Sequence, residues 1–295
     1  MGGAVVVGSG AGSETIDRCQ ARAEAVDIEH RSEETSVNAE KTPAVRSPWF
    51  EPALPRLLAH RGLAVGAPEN TLLAFVKALA AGATYLETDV HASKDGVAVL
   101  SHDPNLVRLA GRKVRVSELT LKELREIDLG EGQTFSTLSE LLEAFPEARF
   151  NIDIKALDAG RPAAEAILKA RATNRVLITS FNAKRRHAAV SLLPGVASSS
   201  SPGEILIAVI AAKLRLSAVV KWALRHVTAV QVPVRSAGVR IATRGVISRF
   251  HAAGLEVHIW TVNDVAQMKR LIDLGVDGLF TDRIDLALGT FGKTS

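Results

Sequence analysis

From Arg56 onward the chain alternates short apolar runs with segments of helical period, and this rhythm limits the possible folds more than any other feature. Strand-like runs fall at 56–60, 84–90, 150–154, 175–180, 195–199, 228–234, 256–262 and 277–281. Helical patterns over 70–81, 162–172, 183–193, 243–253 and 264–274 lie between them. Gly82, Gly254 and Gly275 stand just past three of these, where a helix C-terminus favours glycine. Eight strands with intervening helices predict an α/β fold, a (β/α)8 TIM barrel. A doubly wound open sheet shares the rhythm, and strand count alone does not separate the two.

The chain has 295 residues, 47% of them apolar, enough for a large core. Its charge is uneven. Residues 1–50 carry five basic and eight acidic side chains, net −3, which leaves +7 for the rest of a chain totalling +4. A modestly basic body suits an anionic substrate or lipid surface, and equally an inert one. No stripe of basic and aromatic residues marks a nucleic-acid partner. Cys19 is the only cysteine, so neither an intrachain disulfide nor a thiolate metal site is available, as expected in the cytoplasm. The apolar Ala4–Val7 run is too short for a signal-peptide core, and no uninterrupted apolar stretch reaches spanning length.

Residues 1–53 read as a disordered or weakly ordered N-terminal extension, and 54–295 as the barrel domain. Gly8–Gly12 after Val5–Val7 resembles a dinucleotide loop, but the glycine spacing is wrong and no second strand follows. One connection breaks the βα rhythm: 97–102 follows strand 84–90 too closely for a parallel crossover. Lys94-Asp95-Gly96 signals a turn, hence an antiparallel hairpin. A turn centred between Asp95 and Gly96 would set Asp89 opposite His102. The segment of about 104–149 is long for a βα loop. It contains a Thr120/Glu123 capping box and a helical pattern over 137–145. Two readings suit it, an insertion over the barrel mouth or a displaced barrel helix.

Chemistry-bearing residues gather at strand ends. Alternation turns Glu87 and Asp89 to one face with Thr88 opposed, and Asn151, Asp153 and Lys155 share a face likewise. Three converging carboxylates suit a hard divalent cation, Mg²⁺ or Ca²⁺; the competing reading is an internal salt-bridge network neutralised by Lys155 and Arg61. A lone histidine such as His60 is more often structural than catalytic. With His102 near the same acids, two imidazoles can act as base and acid in an in-line displacement at phosphorus. Arg61 offers a fork for phosphate oxygens and Lys155 a point charge.

These residues belong to an ordered series: His60-Arg61-Gly62, Pro68-Glu69-Asn70-Thr71, Glu87-x-Asp89, Lys94-Asp95-Gly96, His102-Asp103, Asn151-x-Asp153-x-Lys155, Trp260-Thr261-Val262-Asn263 and Thr281-Asp282. Over about residues 56–290 the chain resembles the glycerophosphodiester phosphodiesterase family, and eight motifs in order make that resemblance specific. It implies a TIM-barrel hydrolase that converts a glycerophosphodiester to sn-glycerol 3-phosphate and an alcohol with a divalent cation. By motif, His60 and His102 become the acid/base pair, Glu87, Asp89 and Asp153 the metal ligands, and Arg61 and Lys155 the phosphate holders. Glu69 falls at the site, orienting an imidazole or binding metal, while Phe181 and Trp260 line its mouth. Asp153 stands where the family usually has glutamate, a side chain shorter by roughly one bond length, about 1.5 Å.

Ile205–Val227 is apolar apart from Lys213, Arg215, Ser217, Lys221, Arg225 and His226. A helix of this kind packs against a barrel or lies in a membrane interface. The second option implies peripheral membrane contact and, as an alternative function, lysophospholipase D-like cleavage. A catalytically silent phosphate-binding barrel is disfavoured by the presence of both histidines and all three acids.

Overall fold

The computed structural model describes residues 1, 47–236 and 239–292, apart from the Val239 side chain. Eight parallel strands form the central sheet: β1 (Arg56–His60), β2 (Tyr85–Ala92), β4 (Arg149–Ile154), β5 (Val176–Thr179), β6 (Ala197–Ser198), β7 (Ala229–Pro233), β10 (Glu256–Trp260) and β11 (Gly278–Thr281). Their order is β6-β5-β4-β2-β1-β11-β10-β7. A parallel bridge between Ser199 and Ala229 joins the two ends of this order. The ring is thus a (β/α)8 barrel, and the open-sheet alternative fails because its two edge strands meet.

Helices cover the outside: α1 (Leu72–Ala80), α5 (Gly160–Lys169), α6 (Ala183–Val190), α7 (Pro202–Lys213), α8 (Ser217–Ala223), α9 (Arg244–His251), α10 (Val265–Asp273) and α11 (Ile284–Phe291). Several start where a side chain caps them: Thr71 accepts from Ala74 N, Asn182 from Lys184 N, and Asp264 from Gln267 N. Gly82, Gly254 and Gly275 take positive φ where three of the helices end, as their positions predict. Among the described residues no helix is long and apolar enough to cross a membrane.

The long connection after the short strand β3 (Ala98–Leu100) has two parts. Helices α2 (Val107–Ala110) and α3 (Leu121–Arg125) enclose a satellite cluster of Leu106, Val116, Leu124, Ile127 and Phe135. Helix α4 (Leu138–Ala144) instead sends Leu138, Leu141 and Leu142 into the main core, as a barrel helix does. The segment therefore divides into a separate small cluster and a helix that joins the barrel core.

Three expectations change. The β2–β3 hairpin pairs Val90 with Leu100 and Ala92 with Ala98, one residue off the predicted register. The turn is a three-residue loop with Gly96 at φ 78, so Asp89 O accepts from Ser101 N and not from the His102 backbone. The 205–227 segment is two helices, α7 and α8, broken at Leu214–Leu216 with Arg215 at φ 62. Finally, Trp49 and Phe50, assigned with the extension, are buried under the barrel. Trp49 Nε1 donates to Phe150 O at 3.0 Å, and Arg56 forks onto Glu256 at 2.6 and 2.7 Å, closing the N-terminal end of the barrel. Residues 2–46 of the extension, including Gly8–Gly12 and Cys19, lie outside the described residues.

Candidate active site

With its N-terminal end sealed, the barrel opens at the opposite end into one pocket of ≈ 720 Å³. His60 is the last residue of β1. Its Nδ1 lies 2.6 Å from Asp282 Oδ1, and Asp282 is itself fixed by Asn263 Nδ2 at 2.7 Å. A carboxylate on Nδ1 leaves Nε2 to face the pocket, 4.0 Å from Glu87 Oε2. Burial works against a charged ring here, but Glu87 and Asp282 outweigh it and raise the His60 pKa above its ordinary value.

Just past β1 the chain turns sharply through Arg61 (φ 58) and Gly62 (φ 83). A Cβ at position 62 would sit 2.7 Å from the Ala74 carbonyl carbon, so the motif requires glycine there. The turn folds Arg61 back over the acids. Its backbone N donates to Glu87 Oε2 at 2.9 Å, its NH1 donates to Glu69 Oε1 at 3.0 Å, and its Nε lies 3.2 Å from Asp89 Oδ2.

Strand alternation operates as expected on β2. Glu87 and Asp89 line the pocket, while Thr88 Oγ1 donates to Asn70 Oδ1 at 2.8 Å and Asn70 Nδ2 donates to Asp89 Oδ2 at 3.0 Å. Pairing with β4 sets Glu87 beside Asn151 and Asp89 beside Asp153. The Lys155 ammonium stands between two of the acids, 2.8 Å from Asp89 Oδ1 and 2.6 Å from Asp153 Oδ2. Burial and the neighbouring Asp89 push the Glu87 carboxyl up. Burial also pushes Asp153 up, whereas Lys155 and Arg61 overcome burial at Asp89 and hold it low.

His102 lines the same pocket from the bend after β3, with Asp103 Oδ1 at 2.7 Å from its Nδ1. Arg108 Nε donates to Asp103 Oδ2 at 2.6 Å, and its two terminal nitrogens donate to Glu69 at 3.0 and 2.6 Å. Glu69 thus meets the site through Arg61 and Arg108 and touches neither imidazole. Phe181 and Trp260 form an edge-on pair at the rim, 5.4 Å between centroids, with Lys155 Nζ 5.5 Å from the Phe181 ring.

Sequence reasoning did not single out Asp282, Asp103, Asn70, Asn263 or Arg108. The first four stand inside the quoted motifs, beside or near residues that were chosen. Arg108 carried no signal, because only the fold of the segment after β3 brings it to Glu69 and Asp103.

Among the described residues no group of three Asp, Glu, His or Cys side chains is arranged to hold an ion, since Lys155 neutralises Asp89 and Asp153 directly. The donor chemistry still fits a hard cation. Asp153 Oδ1 is buried without a hydrogen-bond partner, and burial together with the neighbouring Asp89 disfavours the bare Glu87 carboxylate, which a cation would offset.

Residues 60–286 match the model of the glycerophosphoryl diester phosphodiesterase family. The chain is 43% identical over 231 residues to the Mycobacterium tuberculosis protein named "Probable glycerophosphodiester phosphodiesterase 2", covering 78% of this chain and 88% of that one. It is 29% identical to a lysophospholipase D of Rattus norvegicus over 78% of this chain and 83% of that protein. Among solved structures, the glycerophosphodiester phosphodiesterase of Thermotoga maritima superposes with a TM-score of 0.64 at 28% identity, over 79% of this chain and 97% of that one.

Proposed function

This chain belongs to the glycerophosphoryl diester phosphodiesterase family, and we propose how its residues divide the work of that activity. It hydrolyses glycerophosphodiesters to sn-glycerol 3-phosphate and an alcohol. His60 and His102 are the proton-transfer pair. One imidazole takes the proton of the attacking oxygen, the other protonates the leaving alkoxide, and the phosphorus–oxygen bond to the alcohol breaks. Asp282 and Asp103 hold the two rings by Nδ1 so that each turns its Nε2 toward the phosphate. Arg61 and Lys155 bind the phosphate oxygens, and Phe181 and Trp260 bracket the organic part of the substrate.

Glu87, Asp89 and Asp153 would hold a divalent cation, Mg²⁺ or Ca²⁺. Such an ion supplies Lewis-acid polarisation of a phosphate oxygen when bound. The reading also includes action in the cytoplasm and peripheral contact with lipid through 205–227.

The observation that carries this reading is the pairing of two carboxylate-backed imidazoles with three buried acids and two cations around one pocket. The test is release of sn-glycerol 3-phosphate from glycerophosphocholine and glycerophosphoethanolamine, with and without EDTA. Release that EDTA abolishes and Mg²⁺ or Ca²⁺ restores is expected. Full turnover in EDTA would remove the cation, and no release under any condition would overturn the residue assignment.

A further inference from the structure

Two pieces outside the ring of strands border the pocket. The hairpin of β8 (Arg235–Ser236) and β9 (Val239–Arg240) adds Ser236 to its wall. The segment after β3 brings His102 and, five residues past Asp103, an arginine that the chemistry above does not use. Arg108 Nε donates to Asp103 Oδ2, the oxygen that does not face the His102 ring. Its two terminal nitrogens fork onto both oxygens of Glu69, and Glu69 Oε1 also accepts from Arg61 NH1. A continuous line of contacts thus runs from His102 through Asp103, Arg108 and Glu69 to Arg61.

The carboxylates on either side of Arg108 are largely enclosed, although its own side chain is 48% exposed. Burial disfavours a charge on both. Arg108 and Arg61 nevertheless hold Glu69, and His102 and Arg108 hold Asp103, below the usual carboxylate range. The satellite cluster fixes the backbone beside Arg108: Leu106 is fully buried in it, Leu106 N donates to Val114 O at 3.0 Å, and Val116 N donates to Pro104 O at 3.1 Å. An exposed ion pair by itself adds little to stability. What an arginine offers here is a planar fork that sets two carboxylates in a fixed relation, which a point charge does not.

We propose that Arg108 is a positioning residue acting on two groups of the site at once, the His102 ring through Asp103 and the Arg61 guanidinium through Glu69. This rests on the phosphodiesterase reading above. The imidazole comes from the bend after β3 and the phosphate-binding arginine from the end of β1, and Arg108 spans the two. A misplacement of about 1 Å between a catalytic group and its substrate costs on the order of a hundredfold in rate. Losing the Asp103 arm should then lower kcat, and losing the Glu69 arm should raise KM. The small cluster built by the segment before α4 thereby has a use in the reaction, to hold Arg108 in place.

The test is steady-state kinetics on glycerophosphocholine with the full chain, each variant first shown to be folded by its urea midpoint. Arg108→Ala is expected to lower kcat about tenfold or more and to raise KM several-fold. In an Asp103→Ala background the same change should alter kcat by less than about twofold while its effect on KM remains. In a Glu69→Ala background the converse is expected. Arg125→Ala removes an arginine of similar exposure, 47%, paired with Glu140 in the same segment, and should change neither constant. Arg108→Lys keeps the charge but not the fork, so its constants should lie between those of wild type and Arg108→Ala. Should the alanine variant not fold, wild-type values in the lysine variant overturn the proposal instead. Wild-type kcat and KM in Arg108→Ala, or an equal kcat loss with and without Asp103, would overturn it while leaving the phosphodiesterase reading intact. A wild-type chain that cleaves neither glycerophosphocholine nor glycerophosphoethanolamine would remove that reading and the proposal with it.

Discussion

Behind each imidazole stands a carboxylate, and these pairs organise the site as much as the imidazoles do. Asp282 fixes the ring of His60 and is itself fixed by Asn263. Removing it frees the ring to rotate and lowers the charge that favours the imidazolium. Asp282→Ala is therefore expected to reduce kcat by about ten- to a hundredfold with little change in KM, and Asp282→Asn to recover part of the loss; steady-state kinetics on glycerophosphocholine check both. Wild-type kcat in the alanine variant would mean that the ring is held by other contacts. Gly62 is a backbone requirement. An added Cβ meets the Ala74 carbonyl carbon at 2.7 Å in a positive-φ conformation, so Gly62→Ala should cost roughly 2 kcal/mol or more in urea unfolding. The acids, imidazoles and cations were legible in the sequence because alternation along β2 and β4 decides which residues share a face. Their supporting partners were harder to read, since a hydrogen bond such as Arg108 to Glu69 depends on how the segment after β3 packs.

At the scale of elements, apolar period and helix punctuation located the eight barrel strands, whereas register and helix breaks were not readable. The hairpin register turned on which loop residue takes the left-handed conformation. Gly96 does so, Ser93 Oγ accepts from Val97 N at 2.9 Å, and the loop closes on three residues instead of two. Gly96→Val should therefore cost about 1–2 kcal/mol by urea unfolding, and an unchanged midpoint would contradict this account of the turn. The break between α7 and α8 has no glycine or proline to announce it. Arg215 adopts positive φ, and continuous apolar composition there reads as one helix. The segment after β3 shows why length alone misleads: α4 joins the main core, and only the part before it forms a separate cluster.

Across the whole molecule, chemistry at one end of the barrel is matched by a structural plug at the other. Arg56 and Glu256 are 200 positions apart, on strands both adjacent to β11, and no local pattern marks them as partners. Burial alone would raise the Glu256 pKa, but the Arg56 fork and His258 hold it at about 2, below its ordinary 4.5. A depressed carboxyl stabilises the fold above pH 4.5, and that contribution disappears as pH falls toward 2. It amounts to roughly 3 kcal/mol at neutral pH. Glu256→Gln should lose this part of the acid sensitivity and, by removing the charge opposite the buried Arg56 guanidinium, destabilise the protein by about 3 kcal/mol at pH 7. Urea unfolding at pH 7 and pH 3 measures both, and parallel losses in wild type and variant would contradict the assignment.

The central claim is that two imidazoles from separate strands act on one phosphodiester at the open end of the barrel. Turnover of glycerophosphocholine by His60→Ala and by His102→Ala, each first shown to be folded by its urea midpoint, tests it most directly. A fall in kcat of about a hundredfold or more in both variants is predicted. Near wild-type turnover in either one would contradict it.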